Sequence, residues 1–235
     1  MIRAMSAPGR EPIVLSFASD RTLRVAFGEG LDPAAHRQVR RLLRRLDQRR
    51  LDGVEDLSPA YATLLVRFEP RRVAPSAIEA AVRGLIVDLE EEPLEAPRRV
   101  EIPVRYGGAE GPDLTDVARH AGITPEAVVA IHSGVRYEVH FLGFTPGFAY
   151  LGTVPEPIAC PRLDEPRRSV PAGSVGIAGA QTGVYPAATP GGWRLIGRTP
   201  LTMFAADRAP MSLLLPGDEV RFVPLAGGVA ARADA

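Results

Sequence analysis

Twelve residues, FLGFTPGFAYLG from Phe141 to Gly152, hold four aromatic rings, three glycines and a proline, and nothing else in the chain restricts its fold as tightly. The run is too apolar for an ordinary solvated loop, and Pro146 and Gly147 exclude a helix. The same vocabulary returns in SVPAGSVGIAGAQTGVYPAATPGGWRLIGRTP, from Ser169 to Pro200, where glycines and prolines punctuate short runs of Val, Ile, Tyr and Trp. VRYEVHF, SVGIA, GWRLIG, LTMF and EVRFVPL are each four to seven residues long, with Gly or Pro between them. Short strands with irregular connections predict a closed barrel, which has no long free edge and gathers its conspicuous loops where a ligand sits.

The N-terminal part has a different rhythm. TLRVAF alternates as a half-buried strand does, and Asp32-Pro33 supplies an N-cap with proline at the first helical position. Val39, Leu42, Leu43 and Leu46 then recur at helical spacing, leaving a basic opposite face. A short strand near Val54–Leu57, a turn at Ser58-Pro59 and the strand YATLLVRF follow. Ser76 and Glu79 read as a capping box for a second helix burying Ile78, Val82 and Leu85, and VEIPVRYG reads as one more strand. The predicted order is β-α-β-β-α-β, a ferredoxin-like α+β domain over residues 11–98, followed by the barrel over residues 99–230.

Between them, LTDVARHAGITPEAVVAIHSG has the rhythm of a DNA-binding helix-turn-helix, capped by Asp113 and re-opened by Thr124-Pro125. The second helix offers only Glu126 among Ala, Val and Ile, so nothing reaches base edges or phosphates, and the pair reads as a packing element. Composition agrees: 28 basic residues balance 28 acidic ones, so no global field draws the chain to nucleic acid or an anionic membrane. Every basic residue is arginine, which excludes a Schiff-base or P-loop lysine. The lone Cys160, the missing apolar leader in MIRAMSAPGREPIV and the lack of a membrane-length apolar run predict a cytoplasmic protein.

EIPVRYGGAEGPDL, GFTPGFAYLG, CPRLDEPRRSVPAGSVGIAGAQTGVYP and TPGGWRLIGRTP, in that order, resemble the family that includes the B subunit of the bacterial three-component 5-oxoprolinase, also labelled allophanate hydrolase subunit 1 and KipI-like kinase inhibitor. The likeness covers most of Val100–Val223, with Ala149 where a proline is usual and Ala180 where Gly or Asn is frequent. It implies a ferredoxin-like domain followed by a cyclophilin-like β-barrel, and a working partnership with the C and A subunits of 5-oxoprolinase. Such an assembly opens the lactam of 5-oxoproline to L-glutamate with ATP as co-substrate, so the isolated chain is expected to be inactive, without cofactor or metal. A similar pair of regions is implied inside urea carboxylase. The KipI label implies the alternative, an interaction protein that inhibits a sensor histidine kinase and performs no chemistry.

No residue is an obvious nucleophile: Cys160 sits in Ala-Cys-Pro and reads as an inert thiol, and Ser169 and Ser174 lack a nucleophile-elbow context. In GSVGIAGAQTG the glycines either let N–H groups converge on a carboxylate, phosphate or oxyanion beside Gln181 and Thr182, or merely turn barrel corners. Arg162, Arg167, Arg168, Arg194 and Arg198 lie within or beside the motifs, and Arg168 and Arg198 flank the blocks. Gln181, Thr182 and Arg198 are thus the candidate catalytic residues, with Arg168, Gly179, Tyr150, Tyr185 and Trp193 for substrate binding. His132 reads as structural, and the histidine spacing indicates no metal site. FLGFTPGFAYLG is either the rim of a barrel site or the face that meets the C subunit.

Overall fold

The computed structural model describes residues 12–91, 94 and 96–226, so the outer ends of the two predicted domain ranges lie outside the described residues. The chain divides into two compact units, Met1–Ala96 and Pro97–Ala235. Among the described residues no helix is long and apolar enough to cross a membrane.

The first unit runs β1 (Val14–Ser19), β2 (Thr22–Ala26), α1 (Pro33–Arg49), β3 (Val54–Pro59), β4 (Thr63–Phe68) and α2 (Pro75–Ile86). Its four strands form one antiparallel sheet in the order β1-β2-β4-β3. The predicted β-α-β-β-α-β order is therefore corrected. VEIPVRYG leaves this unit altogether, and the edge beside β2 is taken by β1, a strand that precedes the first one the alternation picked out. Leu23, Val25, Leu64, Val66 and Phe68 on β2 and β4 pack with Val39, Leu42 and Leu46 of α1 and Ile78 and Val82 of α2, all buried.

The local chemistry explains the helix ends. Asp32 caps α1 by accepting from Ala34 N at 2.8 Å, with Pro33 in the first turn, as the residue types predict. α2 opens ahead of the predicted box: its N-cap is Ala74, Pro75 starts the helix, and Glu79 pairs with Arg83 at 2.7 Å instead of closing on Ser76. Arg45, on the basic face of α1, donates to the carbonyls of Leu85, Val87 and Asp88 and so satisfies the C-terminal end of α2. Ser58 and Pro59 lie within β3, and the connection falls at residues 60–62. Proline is tolerated there because β3 is an edge strand and Pro59 is its last residue.

The second unit contains β5 (Arg99–Tyr106), α3 (Leu114–Ala121), α4 (Pro125–Ser133), β6 (Arg136–Leu142), β7 (Ala149–Gly152), β8 (Arg167–Val170), β9 (Ser174–Ala178), β10 (Gln181–Val184), β11 (Thr189–Gly191), β12 (Arg194–Arg198) and β13 (Glu219–Pro224). Seven strands close a barrel in the order β10-β7-β6-β13-β5-β12-β9, and β8 pairs with β11 apart from it. All its contacts are antiparallel except β5 with β13, which run parallel. Ile102, Val104, Tyr137, Val139, Leu151, Val175, Ile177, Ile196, Val220 and Phe222 alternate into one core. α3 and α4 form as read and bury Leu114, Val117, Val128 and Val129 in that core.

Two sequence expectations fail here, one to a locally closed loop and one to distant partners. LTMF is not a strand: it belongs to a loop with a single bridge, Phe204 to Ser212, stapled by Arg208 donating to the carbonyls of Thr202, Met203, Pro210 and Met211. Asp113 makes no side-chain cap on α3. Its two carboxylate oxygens instead take Arg167 Nη2 and Leu195 N, each at 2.6 Å, and charge-assisted bonds of this kind outweigh a cap.

Candidate functional site

The segment GSVGIAGAQTG is the β9–β10 hairpin. β9 lies between β10 and β12 and pairs with both, so its backbone groups are spent in the barrel ladder and do not converge on an open cradle. The alternation of the strands then separates the residues that sequence grouped together. Gly179, at φ +57°, and Gln181 flank the turn at one end of the hairpin. Arg198 stands opposite Ser174, four residues back along β9 from Ala178, about 13 Å away at the usual strand rise. Arg168 is exposed on β8, while its neighbour Arg167 is the arginine drawn inward to Asp113.

Thr182 points into the barrel and is fully buried. Its hydroxyl donates to Gly176 O at 2.9 Å and lies 2.9 Å from His132 Nε2, while His132 Nδ1 lies 2.8 Å from the Tyr106 hydroxyl. For a neutral imidazole only one arrangement of protons satisfies all three contacts: Tyr106 donates to Nδ1, Nε2–H donates to Thr182 Oγ1, and Thr182 donates to the carbonyl. The imidazole is neutral, since burial lowers its pKa from the ordinary 6.5 to about 3. Burial likewise raises the Tyr106 and Tyr137 phenols, and Tyr137 donates to His132 O at 3.0 Å. The series ends on a carbonyl, so it fixes the α4–barrel junction and delivers no proton to a cleft.

Tyr150, Tyr185 and Trp193 do come together, on the outer face of the barrel wall. Phe148 sits among them with ring centroids 5.0, 5.3 and 5.4 Å from Tyr150, Tyr185 and Trp193, and Phe141 stacks on Tyr150 at 4.6 Å. Gly176 and Gly183 are register partners and form the floor. A Cβ on Gly183 would stand 3.2 Å from both Phe148 and Trp193, and one on Gly176 would stand 3.1 Å from Trp193 Cβ. The two glycines are thus required for room beneath rings. From FLGFTPGFAYLG, Phe148 and Tyr150 build this second core, Ala149 and Leu151 belong to the barrel core, and Phe144, 64% exposed, and Pro146 project to the surface. Cys160 is buried, and burial raises its thiol pKa, in keeping with an inert sulfur.

Arg198 lines a cleft. A cavity of about 390 Å³ is bounded by Arg105, Glu110, Ala172, Gly173, Pro186, Arg198 and the run Thr199–Thr202. Gly173, at φ +81°, completes the tight turn after Pro171, and a Cβ there would lie 2.4 Å from Thr199 O. That turn aims Ala172 O at Arg198 Nε, 2.7 Å away, and fixes the guanidinium at the cleft wall. Arg105 and Glu110, which lie in the block EIPVRYGGAEGPDL but were not among the candidate site residues, join it because β5 and the turn that follows it run beside β12. Among the described residues no cluster of three or more His, Cys, Asp or Glu side chains is placed to hold a metal ion.

These features, a closed barrel preceded by an antiparallel sheet with two helices, match a defined class: residues 13–214 fit the family described as "carboxyltransferase domain, subdomain C and D". Within it, the chain belongs to the family of 5-oxoprolinase B subunits. It is 50% identical over 203 residues to the 5-oxoprolinase B subunit of Escherichia coli O157:H7, an alignment that spans 85% of this chain and 92% of that protein. It is also similar to the solved structure of TTHA0988, with a TM-score of 0.78 and 40% identity over 88% of this chain. The chain spans only 40% of the TTHA0988 chain. Urea carboxylase of Kluyveromyces lactis shares the fold, with a TM-score of 0.71 at 18% identity, and this chain spans 23% of it.

Proposed function

We propose that this chain is the B subunit of an ATP-dependent 5-oxoprolinase, which opens the lactam of 5-oxoproline to L-glutamate only when assembled with its C and A subunits. The observation that carries the reading is the 50% identity, across 92% of its length, to a protein named as the B subunit of 5-oxoprolinase. Hydrolysing an unstrained amide requires activation of a poorly reactive carbonyl oxygen, stabilisation of the charge that develops, and a positioned water. This chain has no lysine, a buried thiol and a buried Ser174, so on this reading its part is to bind and orient, and the partners supply ATP handling. The fold that it shares with urea carboxylase is compatible with work on a C–N group but names no substrate.

Co-expression with candidate C and A subunits should give glutamate from 5-oxoproline that depends on ATP and on every subunit. Purified chain alone should turn over neither compound. Failure of every assembled complex to form glutamate would remove the reading, and steady turnover by the isolated chain would remove its dependence on partners.

A further inference from the structure

Arg105 and Arg198 are direct register partners on adjacent antiparallel strands. Val104 and Tyr106 face the barrel core, so both arginines project from the outer face, with Cβ atoms about 5 Å apart, as cross-strand partners are. Like charges so placed repel, and strands accommodate such a pair at a cost unless something negative lies between them. No internal neutralisation is evident: among the described residues Arg105 makes no side-chain hydrogen bond or ion pair, and Arg198 spends only Nε, on Ala172 O. Its two terminal nitrogens remain available toward the cleft, and the cleft's acid, Glu110, bonds to neither guanidinium. Thr199 and Thr202 add neutral polar groups along the same wall.

We infer that this cleft is a binding site for the oxyanion of a small molecule, a carboxylate or phosphoryl group held between the Arg105 and Arg198 guanidinium groups. Paired guanidinium forks match the two or three oxygens of such a group, and an anion between them converts the repulsion into two charge-assisted contacts. The carboxylate of the lactam substrate is the occupant if the proposed function holds, so that assignment rests on it. The phosphate groups of ATP present the same chemistry. Glu110 limits the site to ligands that leave its edge to solvent or offer it a donor, such as a lactam N–H.

Thermal unfolding and calorimetric titration of the purified chain decide the matter, with L-5-oxoproline, the neutral lactam 2-pyrrolidinone, inorganic phosphate and ATP as probes. The expected result is saturable stabilisation by 5-oxoproline and none by 2-pyrrolidinone, with Kd raised at least ten-fold in Arg105→Gln and in Arg198→Gln. Arg105 is exposed and unpaired, so Arg105→Gln should keep the unliganded unfolding temperature or raise it slightly by relieving the repulsion, and a loss of binding without a loss of stability separates binding from folding. Stabilisation by phosphate or ATP but not 5-oxoproline, lost in the same variants, upholds the oxyanion site and assigns it to the phosphoryl group. That outcome stands even if the assembled complex makes no glutamate, so the two readings fail separately. Absence of binding by all the anions, or binding undiminished in both variants, overturns the inference.

Discussion

His132 shows how a single residue can be chemically suggestive and yet structural. Its ring is fully buried between Phe222, at 4.5 Å between centroids, and Tyr137, and both ring nitrogens are committed. The folded protein holds the imidazole neutral down to about pH 3, whereas an unfolded chain protonates it near 6.5. Between those values the unfolded state binds the extra proton, so stability is complete above about pH 6.5 and falls with acidity by about 1.4 kcal/mol per pH unit until the native group titrates. Urea midpoints taken from pH 7.5 to 4.5 should show this decline. His132→Gln, whose amide can still donate to Thr182 and accept from Tyr106, should flatten that slope; an unchanged slope would assign the acid sensitivity to other groups.

At the scale of elements, the β9–β10 hairpin is the clearest test of what glycine does here. Adding a methyl at Gly183 would place it 2.9 Å from Ala149 O and against two rings that the surrounding core holds in place. Gly183→Ala should therefore destabilise the chain by roughly 1–3 kcal/mol, as overpacking does. Gly84, inside α2 with nothing near its added Cβ, is the contrast: Gly84→Ala should stabilise by about 0.5–1 kcal/mol. Equal responses at the two sites, read by chemical denaturation, would mean that close packing is not why Gly183 is glycine. Arg208 belongs to the same scale, since it staples the loop by donating to the carbonyls of Thr202 and Met203.

For the whole molecule, the decisive assignment is β5. All seven barrel strands fall between Arg99 and Pro224, and β5 is held by a parallel ladder to β13 and by Arg98, which donates to the buried carboxylate of Asp218 through both Nε and Nη2. A chain beginning at Pro97 carries the complete ladder and should fold cooperatively with its own near-ultraviolet signature from Trp193 and the surrounding rings. One beginning at Gly107 lacks β5, leaves β12 and β13 unpaired along facing edges, and should not. A Pro97 fragment without a cooperative transition would show that the barrel depends on the first unit.

Local pattern was sufficient for what local physics controls. Alternation gave β2, β4 and β6, short runs between Gly and Pro gave β9, β12 and β13, helical spacing with the Asp32 cap gave α1, Thr124-Pro125 gave the start of α4, and the density of short glycine-broken strands gave a closed barrel. Tertiary structure alone decided which sheet a strand joins, because pairing energy depends on partners far apart in sequence: VEIPVRYG reads as the strand that finishes the first sheet, yet β1, which no pattern had marked, takes that edge. It also decided which side of a strand each candidate faces. Thr182, one residue after Gln181, goes inward to His132, while Arg198 meets Arg105, 93 positions earlier, only because β5 and β12 happen to be neighbours. Spacing along the chain carries no record of that register, and the register is what makes the cleft.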